Sequence, residues 1–186
     1  MPHIQVNKDL PGIRALLAFS PRTAEPLGAL AEALLRRVDG LSPAERELIA
    51  TYVSHLNQCF YCDYSHGEIA SCYLKGDREV VEEVRNDPAT ASVPEKLKTL
   101  LNIAGKVQKG GKHVTAEDVK VAKDAGATDA DIHDTVLIAA AFCMFNRYVD
   151  GLAANTPADL ASYERRAAQV AKNGYGSHIY TNQQPH

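Results

Sequence analysis

Two cysteines three residues apart, Cys59 and Cys62, with a histidine four residues further on, His66, form the clearest chemical constellation in this sequence. A Cys-x-x-Cys pair spans one helical turn, so both sulfurs can share a face and close as a disulfide across a helix N-terminus. The partial positive charge of a first helical turn favours thiolate over thiol, which predicts a Cys pKa below about 8.5 here. His66 lies one turn beyond Cys62 on that face, where an imidazole can take a thiol proton directly or through one water. A carboxylate on the preceding helix would hold the imidazole in the right tautomer, as third member of a nucleophile, base and orienter chain. Glu47 is placed in the sequence for that role; Glu45 is better explained by capping, and His55 ranks below His66 as the base. A reactive thiolate attacks a peroxide O–O bond and becomes a sulfenic acid, and a neighbouring thiol condenses with it to a disulfide. An external dithiol then restores the pair by exchange.

The main rival is a metal site. Cys59, Cys62, His66 and Cys72 amount to C-x2-C-x3-H-x5-C, close to a zinc-knuckle spacing. A knuckle needs a Gly-rich, non-helical wrap, whereas this segment reads as helix, so redox chemistry is preferred. The alternative is a non-enzymatic helical oligomer whose thiols sense redox state or bind zinc. Cys72 and Cys143 read as buried small apolar residues, as free Cys often is. Tyr52, Phe60, Tyr61 and Tyr64 read as walls of the site or core, and Arg147 with Asp150 as an ion pair at an interface. Lys109-Gly-Gly-Lys112 lacks the rest of a phosphate loop.

The elements that must position these groups are helical. Leu10 to Phe19 and Pro26 to Val38 are Ala/Leu-rich and punctuated by Pro11, Pro21 and Gly40. Ser42-Pro43-Ala44-Glu45 is a capping box with proline at the first helical position. It opens a helix with Leu48, Ile49, Tyr52, Val53 and Leu56 at a 3.6-residue period, interrupted at Asn57-Gln58. A second helix is predicted from about Phe60 to Leu74, closed by Lys75-Gly76. Ser92-Val93-Pro94-Glu95 repeats the capping chemistry before Leu97, and Thr115 starts a short helix that Gly126 ends. A long helix spans roughly Ala130 to Ala153, and a last amphipathic one Asp159 to Ala171. Leu41-Ser-Pro-Ala-Glu and Val114-Thr-Ala-Glu echo one another, and the second copy has no Cys-x-x-Cys. Two-residue alternation is nearly absent. The expectation is one all-α bundle over residues 1–172, with 173–186 a tail that is loosely held or contacts another subunit.

With 186 residues, 45% hydrophobic and 23% charged, the chain is no collagen, disordered or disulfide-scaffold sequence. A formal charge of −3 leaves no basic surplus for nucleic acid or anionic membrane. No apolar core of a signal peptide follows a basic start, and the most apolar run, Val136 to Phe145, is half of the roughly 20 residues a membrane span needs. A soluble cytoplasmic protein follows as the expectation, where thiols stay reduced unless they are redox-active.

The pattern Glu47, Cys59, Cys62 and His66, Glu-x11-Cys-x-x-Cys-x-x-x-His, resembles the alkylhydroperoxidase D-like branch of the carboxymuconolactone decarboxylase superfamily. Phe145-Asn-Arg-Tyr-Val-Asp-Gly151 is similar to a stretch in that branch's peroxidase-related members, and the helical pattern matches over about residues 20 to 160. The resemblance implies an all-helical subunit assembling into homotrimers or hexamers, and a thiol-dependent peroxidase without haem, metal or other cofactor. It implies that a small-molecule hydroperoxide oxidises Cys62 and that Cys59 supplies a proton and resolves the sulfenate. It implies that Glu47 and His66 form the proton relay, and that an external thiol, dithiol or redox partner protein returns the electrons. The chain departs from the pattern at Tyr61, where the best-known members carry a second histidine. The ring-opening decarboxylase chemistry of the wider superfamily is the third reading, ranked low because it has no evident need of vicinal thiols.

Overall fold

The Ser42-Pro43-Ala44-Glu45 box forms as the sequence predicts: Glu45 N–H donates to Ser42 Oγ at 3.3 Å, and Ser42 N–H donates to Glu45 Oε2 at 2.8 Å. It starts α3, Pro43–Leu56, whose first-turn donors are thereby satisfied. The structure, a computed structural model, describes residues 1–176. Before α3 come α1, Ile13–Phe19, and α2, Pro21–Leu35; after it come α4, Phe60–Tyr73, α5, Glu79–Asn86, and α6, Glu95–Lys109. A single 3₁₀ turn, Gly111–His113, leads to α7, Ala116–Asp124, the long α8, Asp129–Gly151, and α9, Leu160–Asn173. All regular structure among the described residues is helical, in line with the all-α expectation.

Helices α3 and α4 pack most closely and fold back on one another through Asn57-Gln58-Cys59. Gln58 takes the left-handed conformation at φ 58°, which ends α3, and Cys59 N–H donates to Ser54 carbonyl at 3.0 Å. The main core lies between α3, α6 and α8, with Leu48, Ile49, Leu97, Leu101, Ile103, Ile138 and Phe142 fully buried. Helix α9 closes the far side of α4 through Ile69, Ala167 and Val170. No described helix is long and apolar enough to cross a membrane.

Several boundaries differ from the sequence reading for local reasons. Helix α2 starts at Pro21, with proline at the first position, and carries Pro26 inside it. Helix α5 was not anticipated; Asp77 Oδ1 accepts from the N–H groups of Glu79 and Val80 and so starts it. Ser92 does not cap α6: its N–H and Oγ both bind Glu83, and Pro94 is the N-cap. Helix α8 opens on a Thr128/Asp131 capping box, and α7 on the Thr115/Asp118 box. Cys72 is exposed rather than buried, because it sits on the outer side of the last turn of α4. Arg147, expected to pair with Asp150, donates to the Cys143 carbonyl at 2.8 Å instead.

One fully buried cation ties the N-terminal helices to the bundle. Arg46 on α3 donates Nε to Leu41 carbonyl at 2.9 Å, Nη1 to Leu34 carbonyl at 3.0 Å and Nη2 to Asp39 carbonyl at 3.0 Å. Nη2 also reaches Asp134 Oδ2 on α8 at 2.8 Å. Burial alone would raise the Asp134 carboxyl, but its bonds to His133 and Arg46 outweigh that and leave it below its ordinary value. Arg46→Met should therefore lower the unfolding free energy by about 3–5 kcal/mol, measured by urea denaturation, because a buried carboxylate loses its partner. A depressed folded pKa contributes stability above the ordinary carboxylate range and loses it as pH falls through the folded value, so acid sensitivity below about pH 4 should shrink in the variant. A loss under about 1 kcal/mol would show that the anchor is not needed.

Candidate active site

Cys59 is the N-cap of α4 and Cys62 sits in its first turn, so the α3–α4 connection aims both sulfurs at the same end of the helix. The thiols are free, with Cys59 0% and Cys62 3% exposed. They differ in what they face. Cys62 lines a cavity of about 510 Å³, bounded by α1, α2, α4, α8, α9 and the N-terminal segment; Cys59 lies behind it, packed among Leu16, Val149 and Ala154.

The two sulfurs also differ electrostatically. The nearby Cys62 sulfur and burial both push the Cys59 thiol pKa well up. At Cys59, burial and the adjacent sulfur therefore favour the thiol over the thiolate.

His66 joins Cys62 on the cavity wall one turn along α4. Its Nδ1 lies 2.8 Å from Glu47 Oε2 on α3, and Glu47 is 0% exposed. The spacing of these residues along two consecutive helices is thus realised as contact. With Nδ1–H donated to a carboxylate, Nε2 is left as the basic atom of the ring. Phe142 of α8 packs edge-on against the imidazole at 4.6 Å between centroids and fixes its plane. His55 is not part of this group; its Nδ1 pairs with Asp63 at 3.0 Å, and Asp63 in turn accepts from Arg85 at 2.7 Å.

The fourth member of the network is Tyr175, which sequence reasoning missed. Its hydroxyl donates to Glu47 Oε1 at 2.6 Å and lies 3.2 Å from His66 Nδ1, with the rings stacked at 6.0 Å. Burial and the Glu47 charge raise the phenol pKa well above its ordinary value, so it stays a donor. Tyr175 is delivered by the end of α9. Gly174, at φ 82°, turns the chain back, and a Cβ there would meet Glu32 Oε2 at 2.6 Å, the atom that accepts the Tyr175 N–H at 2.7 Å. Tyr175 of the expected tail is therefore fitted onto α2 and α3, while 177–186 lie outside the described residues. An aromatic just past the helix-ending Asn173-Gly174 was the available signal.

Tyr61, between the two cysteines, is buried along the same wall. Its ring packs where a Cβ on Gly12 would fall, which explains glycine at that left-handed position (φ 53°). Among the described residues, Cys59, Cys62, His66 and Cys72 do not converge into a ligand set able to hold a metal ion.

The carboxymuconolactone decarboxylase family profile matches residues 21–87, the span that holds Glu47, Cys59, Cys62 and His66. The chain is similar to the alkylhydroperoxidase AhpD core structure of an uncharacterized peroxidase-related protein from Ralstonia eutropha JMP134. Identity is 28%, covering 85% of this chain and 81% of that one, with a TM-score of 0.75. An uncharacterized peroxidase-related protein from Silicibacter sp. TM1040 is 28% identical over 83% of this chain and 78% of its own, with a TM-score of 0.74. No curated protein matches the chain.

The asymmetry of the two sulfurs is directly measurable. Limited iodoacetamide treatment of reduced protein at about pH 8 should modify Cys62 well before Cys59, as read by peptide mass mapping. Because the Cys59 pKa is raised, its modification should grow only above the ordinary thiol range. Equal rates at both sulfurs would contradict the shielding described here.

Proposed function

We propose that this chain belongs to the alkylhydroperoxidase D-like branch of the carboxymuconolactone decarboxylase superfamily, a reading supported by the family match over residues 21–87 and by the two structures 28% identical to it, and that its Cys59–Cys62 pair is the redox centre of a thiol-dependent peroxidase. The observation that carries the reading is the Glu47–His66 hydrogen bond at 2.8 Å beside Cys62 on the cavity wall, with Cys59 a protonated thiol behind it.

In this reading His66 takes the Cys62 proton, and Glu47 stabilises the imidazolium that forms. The Cys62 thiolate attacks the distal oxygen of a hydroperoxide. The sulfur–oxygen bond forms, the O–O bond breaks, and the leaving alkoxide takes the proton back from His66. Sulfur has given two electrons, and the products are Cys62 sulfenic acid and an alcohol. Cys59 then attacks the sulfenic sulfur; its proton and the hydroxyl leave as water, and a disulfide remains. An external thiol or dithiol, free or carried by a redox partner protein, reduces that disulfide by exchange. The chemistry needs no metal or haem. Assembly into trimers or hexamers, as the family resemblance implies, and a reducing, cytoplasmic setting complete the proposal.

Thiol titration should lose two thiols per chain on exposure of the reduced protein to cumene hydroperoxide, and dithiothreitol should restore both. Cys62→Ser should abolish turnover, and Cys59→Ser should leave a sulfenic acid that dimedone traps at Cys62. His66→Gln should lower kcat/KM by about 100-fold or more, the usual contribution of a positioned base. Full activity in Cys62→Ser would sink the proposal.

A further inference from the structure

The cavity that Cys62 faces carries a second chemical feature, which the thiol relay leaves unused. Arg14 on α1 and Arg166 on α9 both line it. Both also line a smaller adjoining cavity of about 410 Å³, together with Tyr61 and Ser65. Each guanidinium is half-buried, and among the described residues neither makes an ion pair or a side-chain hydrogen bond. The contrast with other inward-facing arginines is sharp: Arg46 and Arg85 each hold a carboxylate, and Arg36 holds Tyr73 and two carbonyls. Asp9 lines the adjoining cavity but forms no ion pair with either cation.

Two arginines sharing a partly desolvated wall repel one another and give up hydration without compensation. Loss of hydration and the neighbouring Arg14 charge both weaken the hold of Arg166 on its proton, which shows the two charges acting on one another. Such an arrangement is relieved by an anion. The planar fork of a guanidinium fits a carboxylate with two parallel hydrogen bonds. Much of the remaining wall of the larger cavity is apolar, formed by Ile13, Leu17, Leu27, Ile69, Phe142 and Phe145. Its volume of about 510 Å³ falls in the range of small-molecule sites.

We infer that this cavity takes an amphipathic carboxylate, its acid group held by Arg14 and Arg166 and its apolar chain lying against α1, α2 and α8. The hydroperoxide substrate is then one that carries a carboxylate, such as a fatty-acid hydroperoxide, rather than a neutral alkyl hydroperoxide. The substrate half of this inference rests on the peroxidase reading of Cys62; the carboxylate site itself does not.

Two arms separate them. Titration calorimetry with decanoate and with neutral 1-decanol tests the site without any turnover. Decanoate should bind at least about tenfold more tightly, as a charge-assisted hydrogen-bond pair supplies. That preference should vanish in the Arg14→Gln/Arg166→Gln variant, with the single variants intermediate. Thermal melts of the free variants check the fold, and the single variants decide the matter if the double variant does not fold. In the second arm, kcat/KM for linoleic acid hydroperoxide should exceed that for its methyl ester by about tenfold in the wild type, the ratio falling toward one in the variants. Equal binding of decanoate and decanol, or a preference that survives substitution of both arginines, overturns the inference. If decanoate binds as expected while no hydroperoxide is turned over, the carboxylate site stands and the peroxidase reading falls.

Discussion

A carboxylate without solvent exposure has to be compensated by its neighbours, and the compensation of Glu47 organises this end of the molecule. One oxygen faces an imidazole from α4, and the other faces a phenol delivered from beyond α9. Three separate parts of the chain are therefore committed to one charge. Helix α4 must pack on α3 in a register that brings His66 to Glu47, and α9 must end where Gly174 can turn Tyr175 inward. The buried Arg46, one residue before Glu47, performs the complementary task on the other side of α3, holding the end of α2 and Asp134 of α8. Adjacent residues of opposite charge thus fix the two flanks of a single helix.

That arrangement assigns different tasks to two chemically identical sulfurs. Cys59 is boxed in by apolar side chains, and burial and the nearby Cys62 sulfur raise its pKa, so its proton is held tightly. Cys62 shares the cavity wall with an imidazole whose tautomer is dictated by Glu47. A symmetric pair would leave the two sulfurs interchangeable; here the environment separates the sulfur that lines the cavity from the sulfur enclosed behind it. Their separation by one helical turn keeps them close enough to react with each other.

Much of this was legible because it is local. Ser42 to Glu45 states the start of α3 in four residues, and the Cys59, Cys62 and His66 spacing states a helical face. The Glu47–His66 pairing was legible one step further, since a short connection between consecutive helices constrains how they pack. What stayed hidden depends on residues distant in sequence. Tyr175 lies 128 positions from Glu47, in a stretch without periodicity, and the helix-ending Asn173-Gly174 before it signals a turn without naming the partner it turns toward. Arg14 and Arg166 are ordinary polar-face residues of their own helices, and only the meeting of α1 with α9 at the cavity makes them a pair. Ser92 misled for the opposite reason: a good local capping pattern lost to a stronger acceptor, the Glu83 carboxylate on α5.

Tyr61, the position at which the chain departs from the histidine-bearing pattern, follows from the same surroundings. Tyr61, at the second position of α4, lines the same cavity as Cys62 and His66, and its ring fills the crowded space under Gly12 and beside Tyr163. Burial raises its phenol to about 12, above the ordinary value, so near neutral pH it neither takes a proton as a base nor carries charge. A titrating imidazole at that place would add a third positive charge beside Arg14 and Arg166 whenever it was protonated. A phenol keeps the apolar contact and offers a hydroxyl within reach of Ser65, without adding to that repulsion. A tyrosine here is consistent with a wall shaped around two cations, and it leaves beside Cys62 the single imidazole that Glu47 holds in place.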